Sequence, residues 1–270
     1  MKKRSIYFII CVMTIFSMMG SVFSAAAEDI DEISGVYGEE ALQNLTAEMQ
    51  LEELNSDRSV SEAAKTIALE KLNFMMLSEA ERTNEVQSKM TTRSLVAIKM
   101  CNVPFFKQEK NYWCGPATAK QTIHYLTKGS YSPTQTQIAG YIGTTTAGSS
   151  STNIANWLRK QGYYYNSVSV SSMTTRDIVN YVATDLDAYD NPCFGGVKIT
   201  SGLIGTNRWH YTTNGHILNI SGIQQYEPDY NNSLIQVTDP YITWKKPSIT
   251  SGKYYVSVGD YKSAMTSFWW

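Results

Sequence analysis

Residues 103–126 read VPFFKQEKNYWCGPATAKQTIHYL. Within them, Cys114-Gly115-Pro116 opens a helix that runs through Ala117, Ile123 and Leu126 toward Gly129, with Pro116 suited to the first helical position. A thiol at a helix N-terminus has its anion stabilised by unsatisfied N–H groups and by the helix dipole, so its pKa falls and its thiolate fraction rises. Cys114 is therefore the candidate nucleophile. Gly115 leaves room for a substrate backbone, and Gln108, six residues upstream of the cysteine, carries an amide able to donate to an oxyanion.

A thiolate needs a base, and the chain holds three histidines. His124 lies ten residues along the same helix, about 15 Å from Cys114 by helical rise, and reads as structural. His210, between Trp209 and Tyr211, reads as an exposed residue of a hairpin tip. His216 follows Asn214-Gly215 and begins the strand Ile217-Leu218-Asn219-Ile220, a position suited to a cleft wall. Asp239, in LIQVTDPY, ends a strand that would pair with the one beginning at His216, so its carboxylate would face and orient the ring.

Outward from this centre the elements alternate in type. Ser132-Pro133 starts a short helix, Thr152 caps another that stops at Gly162, and Thr175 precedes a third carrying Ile178, Val179, Val182 and Leu186. Beyond Pro192 the texture turns to strands at Val197–Thr200, His216–Gly222, Leu234–Thr238 and Tyr254–Val258. Helices followed by an antiparallel sheet make an α+β fold, the nucleophile helix packing on the sheet.

Lys2, Lys3 and Arg4 precede an apolar run ending in Ala25-Ala26-Ala27, so residues 1–27 read as a signal peptide and the mature chain as secreted, with no membrane span after cleavage. Residues 28–99 hold fifteen acidic and seven basic residues, net −8, against +4 for residues 100–270. They read as helices, with capping boxes at Ser59/Glu62 and Ser78/Glu81, and as a pro-segment or a spacer attracted to the oppositely charged domain. As a pro-segment it would be inhibitory and would be cleaved between Glu85 and Lys99. All six Trp lie after residue 100. The whole chain carries a net charge of −1, which excludes a nucleic-acid partner held by a chain-wide positive field. The mature chain keeps Cys101, Cys114 and Cys193, an odd number; Cys101 and Cys193 either pair or stay as buried thiols. No C-x-x-C, H-E-x-x-H or EF-hand spacing occurs, so neither a metal nor a cofactor is expected.

The set Gln108, Trp113-Cys114-Gly115-Pro116-Ala117, Gly215-His216 and Asp239-Pro240-Tyr241 resembles the C39-like papain-fold cysteine peptidases, relatives of the bacteriocin-processing, double-glycine-leader peptidases. The resemblance spans about residues 102–262 and implies a papain-like fold with Cys114 as nucleophile, His216 as base and acid, Asp239 as orienter and Gln108 in the oxyanion hole. From Cys114 to His216 is 102 residues, fewer than the roughly 130 or more of papain and cathepsins, and Asp stands where papain-like enzymes use Asn. The expected activity is hydrolysis of a peptide or protein substrate. The alternatives are a silent peptide-binding module on the same shell and an acyltransferase using the same thiol.

Overall fold

Two helices, α1 (Ala47–Ser56) and α2 (Glu62–Met76), precede the first strand, β1 (Val96–Met100), in a computed structural model that describes residues 47–56, 62–78, 81, 82, 84, 96–226 and 229–270. All of these lie in one compact unit spanning Gly38–Trp270. The expected signal peptide, Ser59 and most of the expected cleavage stretch lie outside the described residues. The Ser78/Glu81 box is present, with the backbone N–H of each residue donating to the other's side chain.

The nucleophile helix, α3 (Cys114–Leu126), is followed by α4 (Gln135–Tyr141), α5 (Ser151–Lys160) and α6 (Thr175–Ala188). Their caps are Thr134, Ser150 and Thr174, each a residue or two from the expected starts, because the hydroxyl that accepts a first-turn N–H fixes the boundary. Pro116 occupies the third helical position instead of the first, still within the turn whose N–H groups have no partner. The strands β2 (Cys193–Ile199), β3 (Thr213–Tyr226) and β4 (Leu234–Thr238) follow, then the short α7 (Ile242–Lys245), β5 (Lys253–Ser257) and α8 (Val258–Ala264).

β3 is the spine of an antiparallel sheet. β2 and β1 lie end to end along one of its edges, pairing Cys193 with Ile220 and Met100 with Gly222, while β4 and then β5 extend the other. β1 corrects the reading of residues 28–99 as purely helical, and the expected boundary between residues 99 and 100 falls inside this strand. Its five residues carry too little pattern to announce a strand; pairing with β3 creates it. The main core lies between the sheet, α6 and α8, and a second core joins α3, α4 and α5 through Ile123, Ile138, Ile154 and Leu158 to Phe194 and Ile217.

Residues 47–82 dock on α5, α6 and the C-terminus by specific contacts. Lys71 is fully buried, 2.5 Å from the equally buried Asp185, with its ammonium between the rings of Tyr165, Tyr189 and Trp270. Arg82 pairs with Asp177 and Glu53 with Arg159, Gln50 exchanges hydrogen bonds with the backbone of Ser167, and Phe74 packs on Tyr181 and Trp270. The attraction expected from opposite net charges is thus largely inverted at the contact, where basic residues of the acidic segment meet aspartates of α6. Net charge acts over distances that salt screens, whereas these pairs are in contact.

Truncating Lys71 leaves the Asp185 carboxylate buried without its cation. K71A should lower unfolding stability by about 3–5 kcal/mol in denaturant titration, and K71M/D185N should lose less than K71M alone.

Candidate active site

α3 presents Cys114 as its first residue, and Trp113 at the N-cap makes no side-chain capping bond, so first-turn N–H groups remain uncapped around the thiol. The His216 side chain and the backbone at Ile217 and Gly115 lie near enough to the sulfur to favour its anion. His216, 5% exposed, places Nε2 2.8 Å from Oδ1 of Asp239, which leaves Nδ1 for the sulfur. The structure therefore brings Cys114, His216 and Asp239 into one line.

A seam of buried polar side chains sets this line. Thr118 donates to the carbonyl of Ile217 at 2.9 Å, and Thr122 donates to Oδ1 of Asn219 at 2.8 Å. The Asn219 amide donates in turn to Gln121 and to the carbonyl of Thr118. One face of α3 is thereby pinned to β3, beginning at the residue that follows His216.

Asp239 is fully buried and has four donors. Oδ1 accepts from His216 and from the N–H of Tyr241; Oδ2 accepts from the hydroxyls of Tyr211 and Tyr254 at 2.8 and 2.9 Å. Burial opposes its charge, but the adjoining imidazole and these donors hold its pKa below the usual carboxylate range. Burial also opposes charge on His216, yet Asp239 and the thiolate raise its pKa to about 10. Burial opposes the Cys114 thiolate as well, and His216 outweighs it, so the thiol is held below its ordinary range. Both shifts favour the charged forms, a thiolate on Cys114 and an imidazolium on His216. His216 stabilises the fold fully below its ordinary value of 6.5 and loses that contribution as pH rises toward 10, while Asp239 loses its own only as pH falls through its depressed pKa.

Gln108 is buried; its N–H donates to the carbonyl of Pro240 at 3.0 Å, and its Nε2 donates to the carbonyl of Lys110 at 2.7 Å. The first bond ties the loop before Cys114 to the turn after Asp239, and the second leaves Nε2 one further proton. His124 lies edge-on against Phe106, and His210 is half-buried against Tyr254, a correction of the exposed hairpin-tip reading caused by Trp209 beside it filling the core. Cys101 and Cys193 are buried free thiols, near Asp190 and Asp185 respectively. Among the described residues no cluster of three or more His, Cys, Asp or Glu side chains is arranged to hold a metal ion.

Sequence reasoning missed Tyr211, Tyr254, Asn219 and Gly252. Tyr211 is separated from Asp239 by β3 and β4 and Tyr254 by α7 and the turn after it, and the one trace of their role is an excess of Tyr, 18 against 8 Phe. Gly252 has φ +69° and its carbonyl accepts from the N–H of Asp239 at 2.8 Å, while a Cβ there would stand 1.9 Å from the Phe105 ring. Gly115 is constrained from the other side, since a Cβ would meet the Ser149 side chain at 2.5 Å; Ser149 thus packs directly against the residue that follows the thiol.

A thiol at a helix start, an imidazole near the start of the central strand and a buried carboxylate, on helices packed against an antiparallel sheet, make up a papain-like α+β fold with a candidate thiol active site. Residues 100–263 match the Peptidase_C39 like family. The chain belongs to this family, and with it to a peptidase-type function. Among solved structures, the peptidase domain of Streptococcus ComA, a bi-functional ABC transporter involved in a quorum sensing pathway, is similar over 62% of this chain and 96% of that one, with 15% identity and a TM-score of 0.41. No curated protein matches the chain.

Burial pushes the Cys101 thiol up to about 12 and Cys193 well above its ordinary range, whereas Cys114 is lowered. Iodoacetamide at mildly acidic pH should therefore label Cys114 alone, read by peptide mass mapping, and H216A should move the inflection of that labelling to higher pH. G252A, which must displace Phe105 and strain the backbone holding Asp239, should abolish this low-pH reactivity while secondary structure, read by circular dichroism, persists.

Proposed function

We propose that this chain is an exported cysteine peptidase that cuts peptide bonds with Cys114, His216, Asp239 and Gln108. The observation that carries the reading is the Cys114 thiol at an uncapped helix start, beside an imidazole whose Nε2 is 2.8 Å from a fully buried carboxylate. The Cys114 thiolate attacks the scissile carbonyl carbon, and the charge that develops on oxygen is met by the Cys114 N–H and the second Nε2 proton of Gln108. His216 gives its proton to the leaving amine, and a thioester remains. Neutral His216 then takes a proton from water, whose oxygen attacks the thioester; collapse returns the acid product and the thiolate–imidazolium pair. Asp239 keeps the ring oriented throughout and does not itself take the proton.

The acidic segment is proposed as a docked companion of the domain. The bonds of residues 47–82 described above run to α5, α6 and the C-terminus, not to Cys114, His216, Asp239 or Gln108, which supports a supporting role over obstruction of the groove. Cleavage that spares the sheet must fall before Val96.

Hydrolysis of a fluorogenic peptide library tests the mechanism. C114A and H216A should lose nearly all activity, Q108A should lose about 10² to 10³ in rate, and D239N should lose less than H216A because an amide still orients the ring. A fully active C114A would falsify the mechanism. Product analysis with an added amine separates hydrolysis from acyl transfer.

A further inference from the structure

From Lys110 to Arg176 the chain contains no aspartate or glutamate. This stretch carries α3, α4 and α5, the layer that holds Cys114. The loop before Cys114 adds Lys107, the end of α7 adds Lys245 and the residue after it Lys246, and these three lysines and Lys110 are all exposed. Each of three ammonium groups rests over an aromatic ring beside the catalytic pair. Lys110 lies 4.2 Å from the ring centroid of Trp113, the residue preceding Cys114. Tyr241, whose ring is 6.1 Å from that of His216, takes Lys245 at 5.3 Å and packs on Trp244 at 5.8 Å. Trp244 is 43% exposed and takes Lys107 at 5.0 Å.

Among the described residues the charge on this rim has no internal counterpart. Lys71, Arg82, Lys99, Arg159 and Arg208 each have a carboxylate partner elsewhere, and the three aspartates of α6, Asp177, Asp185 and Asp187, pair with Arg82, Lys71 and Lys99. Among the described residues no carboxylate pairs with Lys107, Lys110, Lys245 or Lys246. Glu109 is the one acidic residue on the same loop, and its backbone N–H is tied to Gln135. Asp239 is buried and matched by His216.

We infer that the site takes an acidic polypeptide: carboxylates flanking the cleaved bond are held by Lys107, Lys110, Lys245 and Lys246, and the exposed Trp244 covers the apolar part of the same segment. The ring faces keep the ammonium groups in place, so less side-chain freedom is lost when a carboxylate arrives. This rests on the peptidase reading for its placement at the cleavage site.

The test measures fluorescence anisotropy on the C114S chain, using peptides rich in Asp and Glu and their Asn and Gln counterparts. The acidic peptides should bind about tenfold tighter, the scale of three or four exposed charge pairs, with the difference disappearing at high salt. K107Q/K110Q/K245Q should remove most of that preference, while K128Q/K160Q/K262Q, which removes the same charge from exposed lysines elsewhere, should keep it. Thermal midpoints show that both variants fold. No acidic preference, or equal losses in the two triple variants, overturns the inference. So does selective binding of a peptide of residues 28–46 with none of foreign acidic peptides, or retention on phosphatidylglycerol vesicles without a peptide preference. Hydrolysis by the unmutated chain is followed in parallel: cleavage indifferent to acidity defeats the rim and spares the peptidase reading, whereas acidic binding without any cleavage supports the rim and defeats that reading.

Discussion

The docking of α3 on β3 is the constraint on which the active geometry depends. Cys114 and His216 come from different layers, and nothing in the chain between them holds them together locally. Thr118, Gln121, Thr122 and Asn219 form a hydrogen-bonded seam with no exposed member, joining the helix four to eight residues after Cys114 to the strand one to three residues after His216. Hydrophobic contact alone would allow the helix to slide along the sheet. Directional bonds in a dry seam fix its register, because each displaced partner would leave a buried polar atom unsatisfied.

A second constraint is the charge on Asp239. A fully buried carboxylate is tolerable only when its lone pairs are met, and here four donors come from β3, the loop before it, the turn at Tyr241 and β5. The same bonds that stabilise the charge assemble the wall of the site. Gly252 contributes by backbone, accepting from Asp239 while leaving room for Phe105. The carboxylate is thus a point of convergence for elements scattered between residues 211 and 254.

The N-terminal segment illustrates how contact chemistry overrides net charge. Its acidic excess does not describe how it docks; Lys71 and Arg82 do, meeting aspartates along α6 in partly or wholly dry surroundings. With those aspartates occupied, the lysines that lie over aromatic rings around Cys114 have no carboxylate partner among the described residues. Charge in this protein is therefore sorted by face.

Sequence by itself determined the α+β class, the helix opening at Cys114, a strand carrying His216, which in the structure opens three residues earlier at Thr213, and a strand that ends just before Asp239. These are legible because helix starts, strand alternation and turn residues are local features of the chain. It also carried the resemblance to the C39-like peptidases, which the family match at residues 100–263 bears out. Tertiary structure decided what no local pattern encodes. The strand at Val96–Met100 exists through pairing with β3, Asn219 in an apolar-looking run is a polar lock, and Tyr211 and Tyr254 become partners of Asp239 only once the sheet brings them there. Lys71, which sits in the apolar stripe of its helix, is a buried cation because Asp185 waits across the interface. Each of these depends on a partner distant in sequence, and distance in sequence is what folding removes.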